Sequence, residues 1–273
     1  MQKYFTIDCD FEKIIKSKFK NVSHITQIKS GWTNFVFDVK SNNNSYIFRF
    51  PRNEFFSDAL IKEIDFSNFI KDKISFKTNK LQLCESENRA YSLHKKINGR
   101  ALSEVMNDMS ANEIERFSKQ ICNFILQLQK IDVSTQNLGT CSSFLDNLSR
   151  VSESEYDLSK HDILRELESQ KLVLNHGDLN PGNIIVDEDY NIVAILDYAF
   201  VSMSCEINDL IRLVGRLPKK FHNILISQFE NMSKIKIDKS HEEKLTSMWN
   251  YVEEKYVEYI KKHHKDIILP EGL

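Results

Sequence analysis

The chain has 273 residues, 41% of them hydrophobic, and a formal net charge of −2. At about 100–200 residues per domain, this length gives one large domain or two modest ones, enough to bury a core without disulfides. The near-neutral charge excludes a global basic field, so nucleic acid is not an expected partner. Five cysteines (Cys9, Cys84, Cys122, Cys141, Cys205) are scattered without CxxC spacing. That pattern argues against a disulfide framework and a structural zinc site, and predicts reduced thiols in a cytoplasmic protein. The opening Met1–Asp8 has no basic-then-apolar leader. No apolar run approaches the ~20 residues of a membrane helix, so no membrane association is expected.

In chain order, Ile25–Ile28 has strand character and is followed by Ser30-Gly31-Trp32-Thr33-Asn34. Phe35–Val39 and Tyr46–Phe50 are short runs rich in β-branched and aromatic residues, joined by the polar turn Ser41–Ser45. That combination predicts a hairpin, and Pro51 stops its second strand. Leu60, Ile64, Phe69 and Ile70 recur at helical spacing within Ser57–Ile74. Arg89–Ile97 is a further strand candidate, punctuated by Asn98-Gly99. From Ser103 to Ile131 a single helical stripe is predicted, carrying Ile114, Phe117, Ile121, Ile125 and Leu128, and a last long helix covers about His241 to Lys262.

One island, Lys171–Phe200, departs from this helical character. The apolar run Lys171–Asn175 leads into the loop His176-Gly177-Asp178-Leu179-Asn180-Pro181-Gly182-Asn183, where two glycines and a proline forbid regular structure. Ile184–Val186 and Ile192–Leu196 then form a strand pair that ends on Asp197. Such a hairpin brings Asp197 back toward Asp178 and Asn183, gathering two carboxylates and an amide oxygen around one point. Phosphoryl transfer needs such a cluster, because its chemistry is mainly positioning and charge neutralisation. Magnesium takes hard oxygen ligands, a role that suits Asp197 and Asn183, while Asp178 suits the base that orients an acceptor hydroxyl.

His-Gly-Asp-Leu-Asn-Pro-Gly-Asn followed by Ile-Leu-Asp-Tyr-Ala resembles the catalytic loop and metal-binding segment of the aminoglycoside phosphotransferase/choline kinase family. The resemblance implies an α+β, two-lobed protein-kinase-like fold. A small antiparallel-sheet lobe with one helix would span 1–97 and bind the nucleotide. A larger, mainly helical lobe over 98–273 would hold the catalytic loop and the acceptor. By the same resemblance Asp178 is the catalytic base, Asn183 and Asp197 bind Mg2+, and His176 supports the loop. Nucleotide contacts fall to Gly31, Thr33 and Asn34 of the first loop, and to Arg49, where many relatives carry lysine. Glu63 is the expected partner of Arg49, with Glu54 the weaker candidate. The Lys95 carbonyl and the Ile97 amide of the connector would meet the base, so side chains there do not choose ATP over GTP. Asp209 matches the family's structural aspartate.

The segment after Asp197 is too short for the activation segment that docks a peptide, which favours a small-molecule acceptor. Asp209, Glu206, Trp249 and Glu253 are candidates to line its pocket. An acidic cluster would suit a polycationic aminoglycoside and an aromatic cage would suit choline. The segments Tyr46–Arg52, Lys95–Gly99 and Asn175–Asp197 look most like the 2''-aminoglycoside phosphotransferases, which implies phosphate transfer from ATP or GTP to a hydroxyl on an aminoglycoside sugar, with antibiotic resistance or metabolism as the role. A metabolic kinase of choline or a sugar, and a nucleotide-binding pseudokinase, are the alternatives. The expected assembly is a monomer or weak dimer.

Overall fold

The computed structural model describes residues 4–151, 156–264 and 266–268. The chain divides into two compact units. The first takes the residues up to Phe69, then Asn79–Ile97, then the chain from Val257 on; the second takes Ile70–Thr78 and Asn98–Tyr256. A single cut after Ile97 therefore does not describe the division, because two short segments belong with the unit that is distant from them in sequence.

The first unit opens with α1 (Phe11–Lys18), capped by Asp10, whose Oδ1 accepts the Lys13 amide. Next come β1 (Val22–Ile28), β2 (Asn34–Ser41), β3 (Asn44–Pro51), α2 (Glu54–Ile70), β4 (Gln82–Ser86) and β5 (Arg89–Lys95). The strands form one antiparallel sheet in the order β1-β2-β3-β5-β4. Asn42 and Asn43 carry the positive φ values (49° and 60°) that a two-residue hairpin turn requires, which is why this polar pair joins β2 to β3. Alternation along the strands puts Phe35, Phe37, Phe48, Phe50, Tyr91 and Leu93 on one face, where they pack with Phe5, Phe11 and Ile15 of the N-terminal segment. Residues 257–268 join this unit through Asp266, which receives both guanidinium nitrogens of Arg52 (3.0 and 2.9 Å), and through the Ile268 amide, which donates to Lys29 O at 3.1 Å.

The second unit contains β6 (Arg100–Ala101), α3 (Leu102–Val105), α4 (Ala111–Leu128), α5 (Cys141–Val151) and α6 (Asp162–Gln170). It continues with β7 (Val173–Asn175), β8 (Ile184–Val186), β9 (Ile192–Ile195), β10 (Ser202–Ser204), α7 (Asn208–Val214), α8 (Lys219–Ser233) and α9 (Lys239–His263), the last belonging to it up to Tyr256. The helical periods expected over 103–131 are realised as two helices, α3 and α4. Ser110 starts the second by a capping box with Glu113, each side chain bonding the other's backbone amide. The stripe Ile114, Phe117, Ile121, Ile125 and Leu128 is buried as expected, and Phe117 meets Phe221 of α8 edge-on with centroids 6.1 Å apart. β8 and β9 form a hairpin with β6 on its outer edge, and β7 pairs with β10.

All five cysteines are free thiols, and burial pushes Cys122, Cys141 and Cys205 up to about 12. Among the described residues no helix is long and apolar enough to cross a membrane. Because Phe117 is fully buried where α4 packs on α8, Phe117→Ala should destabilise the protein by about 3–5 kcal/mol. Urea unfolding followed by circular dichroism measures this as a lower midpoint.

Candidate active site

The loop between β7 and β8 is held from below by one buried carboxylate. Asp209, at the start of α7, accepts the His176 amide on Oδ2 at 2.6 Å and the Gly177 amide on Oδ1 at 3.0 Å. Its own amide donates to Asn175 Oδ1 at 3.2 Å, which ties helix and strand end together. Burial pushes the Asp209 carboxyl up, against the pull of the His176 ring and the two amides. Asp209 is 1% exposed and spends both oxygens on backbone amides, so burial closes it off from an acceptor.

Gly177 has φ +79°, and a Cβ there would lie 1.9 Å from Phe200 O. Only glycine lets the chain turn so close to the neighbouring backbone. His176 is fully buried and bridges the loop to the end of β9. Its Nε2 lies 2.9 Å from Leu196 O, which can only accept, and its Nδ1 lies 3.3 Å from the Asp178 amide, which can only donate. These partners put the ring proton on Nε2.

Asn180 shapes the following turn, accepting the Gly182 amide at 2.9 Å and donating to Asp178 O at 3.1 Å. Asn183 then sends its Nδ2 to Asp178 O at 3.0 Å and to Asp178 Oδ2 at 3.2 Å. Its Oδ1 must point the opposite way, as an amide geometry requires. The Leu196 amide donates to Asn183 O at 2.9 Å, extending the β8–β9 register in which Ile184 faces Ile195. Asn183 and Asp197 therefore stand at the same end of the hairpin, Asp197 in the left-handed region at φ 66°. Among the described residues no group of three or more His, Cys, Asp or Glu could hold a metal alone. Magnesium does not need one, since one or two protein oxygens with phosphates and waters complete its shell. An amide oxygen and a carboxylate on adjoining strand ends fit that demand.

A second set of side chains surrounds Asp178. Arg212 Nη2 meets Asp178 Oδ1 at 2.5 Å, and the Arg212 guanidinium carbon lies 3.9 Å from the Trp249 ring centroid. Trp249 donates its Nε1–H to Asn208 Oδ1 at 3.0 Å. Glu253 pairs with Arg216 at 2.7 Å; burial pushes its carboxyl up, while Arg216 and Arg212 pull it down. Trp249 and Glu253, expected as acceptor linings, are thus partners of arginines. Glu206 pairs with Lys171 at 2.6 Å. Arg212 was absent from the sequence-based candidates, although its place three residues after Asp209 puts both on one helix face.

In the first unit, strand alternation sends Arg49 to the sheet face opposite Phe48 and Phe50. There its Nη1 lies 2.8 Å from Glu63 of α2, with both side chains buried. Gly31 sits where a Cβ would be 2.7 Å from Asn34 O and from Val36 Cγ2, so the turn into β2 closes only on glycine. Asn34 is buried and donates to Thr33 Oγ1 at 2.7 Å. Arg52 secures the same loop, its amide donating to Thr33 O at 3.1 Å and its Nη2 to Gly31 O at 3.2 Å. Lys95 closes β5, and Ile97 follows as a half-buried residue.

His94 shares the Arg49 face, since Ile47 pairs with His94 and Arg49 with Ser92. Burial first, and the Arg49 charge second, push its imidazole down from 6.5 to about 3. Between those values the unfolded chain binds a proton that the folded chain refuses, so this contribution is full above pH 6.5 and fades as pH falls toward 3. The melting temperature should therefore drop on acidification from pH 7 to pH 5, and the drop should be smaller in His94→Gln; calorimetry across that window checks it.

Residues 24–234 match the sequence profile of the phosphotransferase enzyme family. No curated protein sequence matches at a significant level. Among solved structures, the GDP and kanamycin complex of aminoglycoside 2''-phosphotransferase IIIa is 17% identical, with a TM-score of 0.69 over 94% of this chain and 97% of that one. The streptomycin–ATP complex of aminoglycoside 2''-phosphotransferase IIa is 14% identical, with a TM-score of 0.64 over 97% and 93%. The macrolide 2'-phosphotransferase from Brachybacterium faecium, as apoenzyme, is 13% identical, with a TM-score of 0.62 over 97% and 99%. These likenesses share the α+β kinase-like fold. With the profile covering most of its length and the catalytic-loop motif inside the matched span, the chain belongs to the phosphotransferase enzyme family.

Proposed function

We propose that the chain is a small-molecule kinase that moves the γ-phosphate of ATP or GTP to a hydroxyl of an aminoglycoside. The observation that carries the kinase reading is the Asp178 carboxylate, presented on a loop that Asp209 and His176 hold from within and bonded by Asn183. Held in this way, it can accept a hydrogen bond from an acceptor hydroxyl and take its proton as the new P–O bond forms and the nucleoside diphosphate departs. Asn183 Oδ1 and the Asp197 carboxylate would hold Mg2+, which would supply neutralisation of the phosphate charge. The first unit would supply the nucleotide contacts: the loop at Gly31, Thr33 and Asn34, the Arg49 guanidinium oriented by Glu63, and the backbone of Lys95 and Ile97. The second unit, with Asp178, Asn183 and Asp197, would carry the acceptor.

The aminoglycoside reading is supported by the motif segments and by the kanamycin and streptomycin bound to two enzymes of the same fold. One observation favours a second reading. Asp178 and Glu253 are each already paired with an arginine, Arg212 and Arg216, so these two carboxylates do not present free negative charge to an acceptor. That pairing suits a macrolide or another alcohol with one or no positive charge. Release of ADP and GDP in the presence of magnesium, measured over a panel of aminoglycosides, macrolides, choline and sugars, separates the readings. Consumption of kanamycin-type acceptors supports the first, whereas consumption of only weakly charged alcohols overturns it. Growth of a sensitive host on the drug then distinguishes a resistance role in the cytoplasm from a metabolic one. Asp178→Asn should lower kcat by at least roughly 100-fold while nucleotide binding persists; normal turnover would sink the kinase assignment.

A further inference from the structure

The kinase reading gives Asp178 its role but leaves open what keeps its carboxylate in one plane. We infer that Arg212 is a positioning residue for Asp178, held over the Trp249 ring so that its Nη2 fixes the carboxylate on which acceptor activation depends. This inference rests on the assignment of Asp178 as the base.

Three observations meet here. The Arg212 and Asp178 side chains are only 12% and 16% exposed, so their ion pair is shielded from water. The guanidinium carbon lies over the Trp249 ring, 3.9 Å from its centroid, while Nη2 donates to Asp178 Oδ1 at 2.5 Å. Trp249 cannot slide away: it is 7% exposed and its Nε1–H is fixed on Asn208, which is fully buried. The sequence Asn208–Trp249–Arg212–Asp178 is therefore a continuous brace of directional contacts. Asn183 takes the other carboxylate oxygen, so both oxygens of Asp178 have fixed donors. A carboxylate has about four lone-pair sites, so two donors define its plane and still leave room for an incoming hydroxyl.

Helix α7 thereby acts twice on one loop. Asp209 fixes the backbone at His176 and Gly177, and Arg212, three residues on, fixes the side chain that follows. Small misplacements of a reacting group cost rate more than affinity, because the productive geometry is narrow. The effect of Arg212 should then fall on kcat.

The test measures turnover of MgATP and MgGTP, with kanamycin and with water as acceptor, in Arg212→Gln, Arg212→Lys and Trp249→Leu, each alone and combined with Asp178→Asn. Arg212→Gln should lower kcat roughly 10- to 100-fold with the nucleotide KM unchanged, as for other groups that orient a reacting side chain. Arg212→Lys should recover only part, because an ammonium keeps the charge but neither stacks nor forks. In the Asp178→Asn background, Arg212→Gln should lower kcat no further. Full kcat in Arg212→Gln, a change confined to KM, or an equal loss in the Asp178→Asn background overturns the inference. If Arg212→Gln does not fold, Trp249→Leu provides the same comparison, since it frees the guanidinium without removing it. Normal turnover in Asp178→Asn removes the base assignment and this inference together; loss there with full kcat in Arg212→Gln removes this inference alone.

Discussion

A single buried carboxylate accepting two consecutive backbone amides is the contact on which the loop from His176 to Asn183 depends. Asp209 reaches His176 and Gly177 from helix α7 and so fixes the loop at the point where its backbone must turn through a positive φ. Once those amides are held, the rest follows by short links. The His176 ring reaches Leu196 O, the Asp178 amide reaches the His176 ring, and Asn183 reaches the Asp178 carboxylate. Burying the Asp209 charge is unfavourable in itself, and the two amide donors offset it; an apolar residue in its place would leave the amides unbonded.

The first unit uses the same physics with the charge signs paired differently. Arg49 and Glu63 are both buried and pair at 2.8 Å, so removing either leaves a buried charge less well compensated. Their arrangement depends on strand alternation: the aromatic residues of β2, β3 and β5 fill one face, which leaves Arg49 and His94 on the other. The aromatic core is thus what aims the arginine, from the opposite face of the sheet.

How much of this was legible in the sequence depended on whether the deciding contacts are local. The loop from His176 to Asn183 and the return to Asp197 could be read directly, because glycine, proline and the strand pair encode them within a short span. The β2–β3 hairpin was equally local. β4 escaped notice because it is short and mostly exposed, with one buried residue, Cys84, and so carries little apolar signal. The break between α3 and α4 was encoded by Ser110 and Glu113 at capping-box spacing, yet the continuous apolar stripe hid it. Trp249 and Glu253 were read as pocket linings because their partners, Arg212 and Arg216, lie on another helix, and no periodicity links helices to each other. Asp209 was legible through its motif, but its two-amide grip was not.

The interleaving of the two units also bears on how the chain is made. The sheet unit is synthesised first but includes residues 257–268, whose Asp266 and Ile268 hold Arg52 and Lys29. Between its opening and closing pieces, the ribosome must deliver the whole helical unit. The first unit therefore waits on the ribosome with its Arg52 guanidinium still lacking the carboxylate it will grip. Vectorial synthesis, which ordinarily lets an N-terminal domain finish alone, here couples completion of the sheet unit to arrival of the residues after Tyr256.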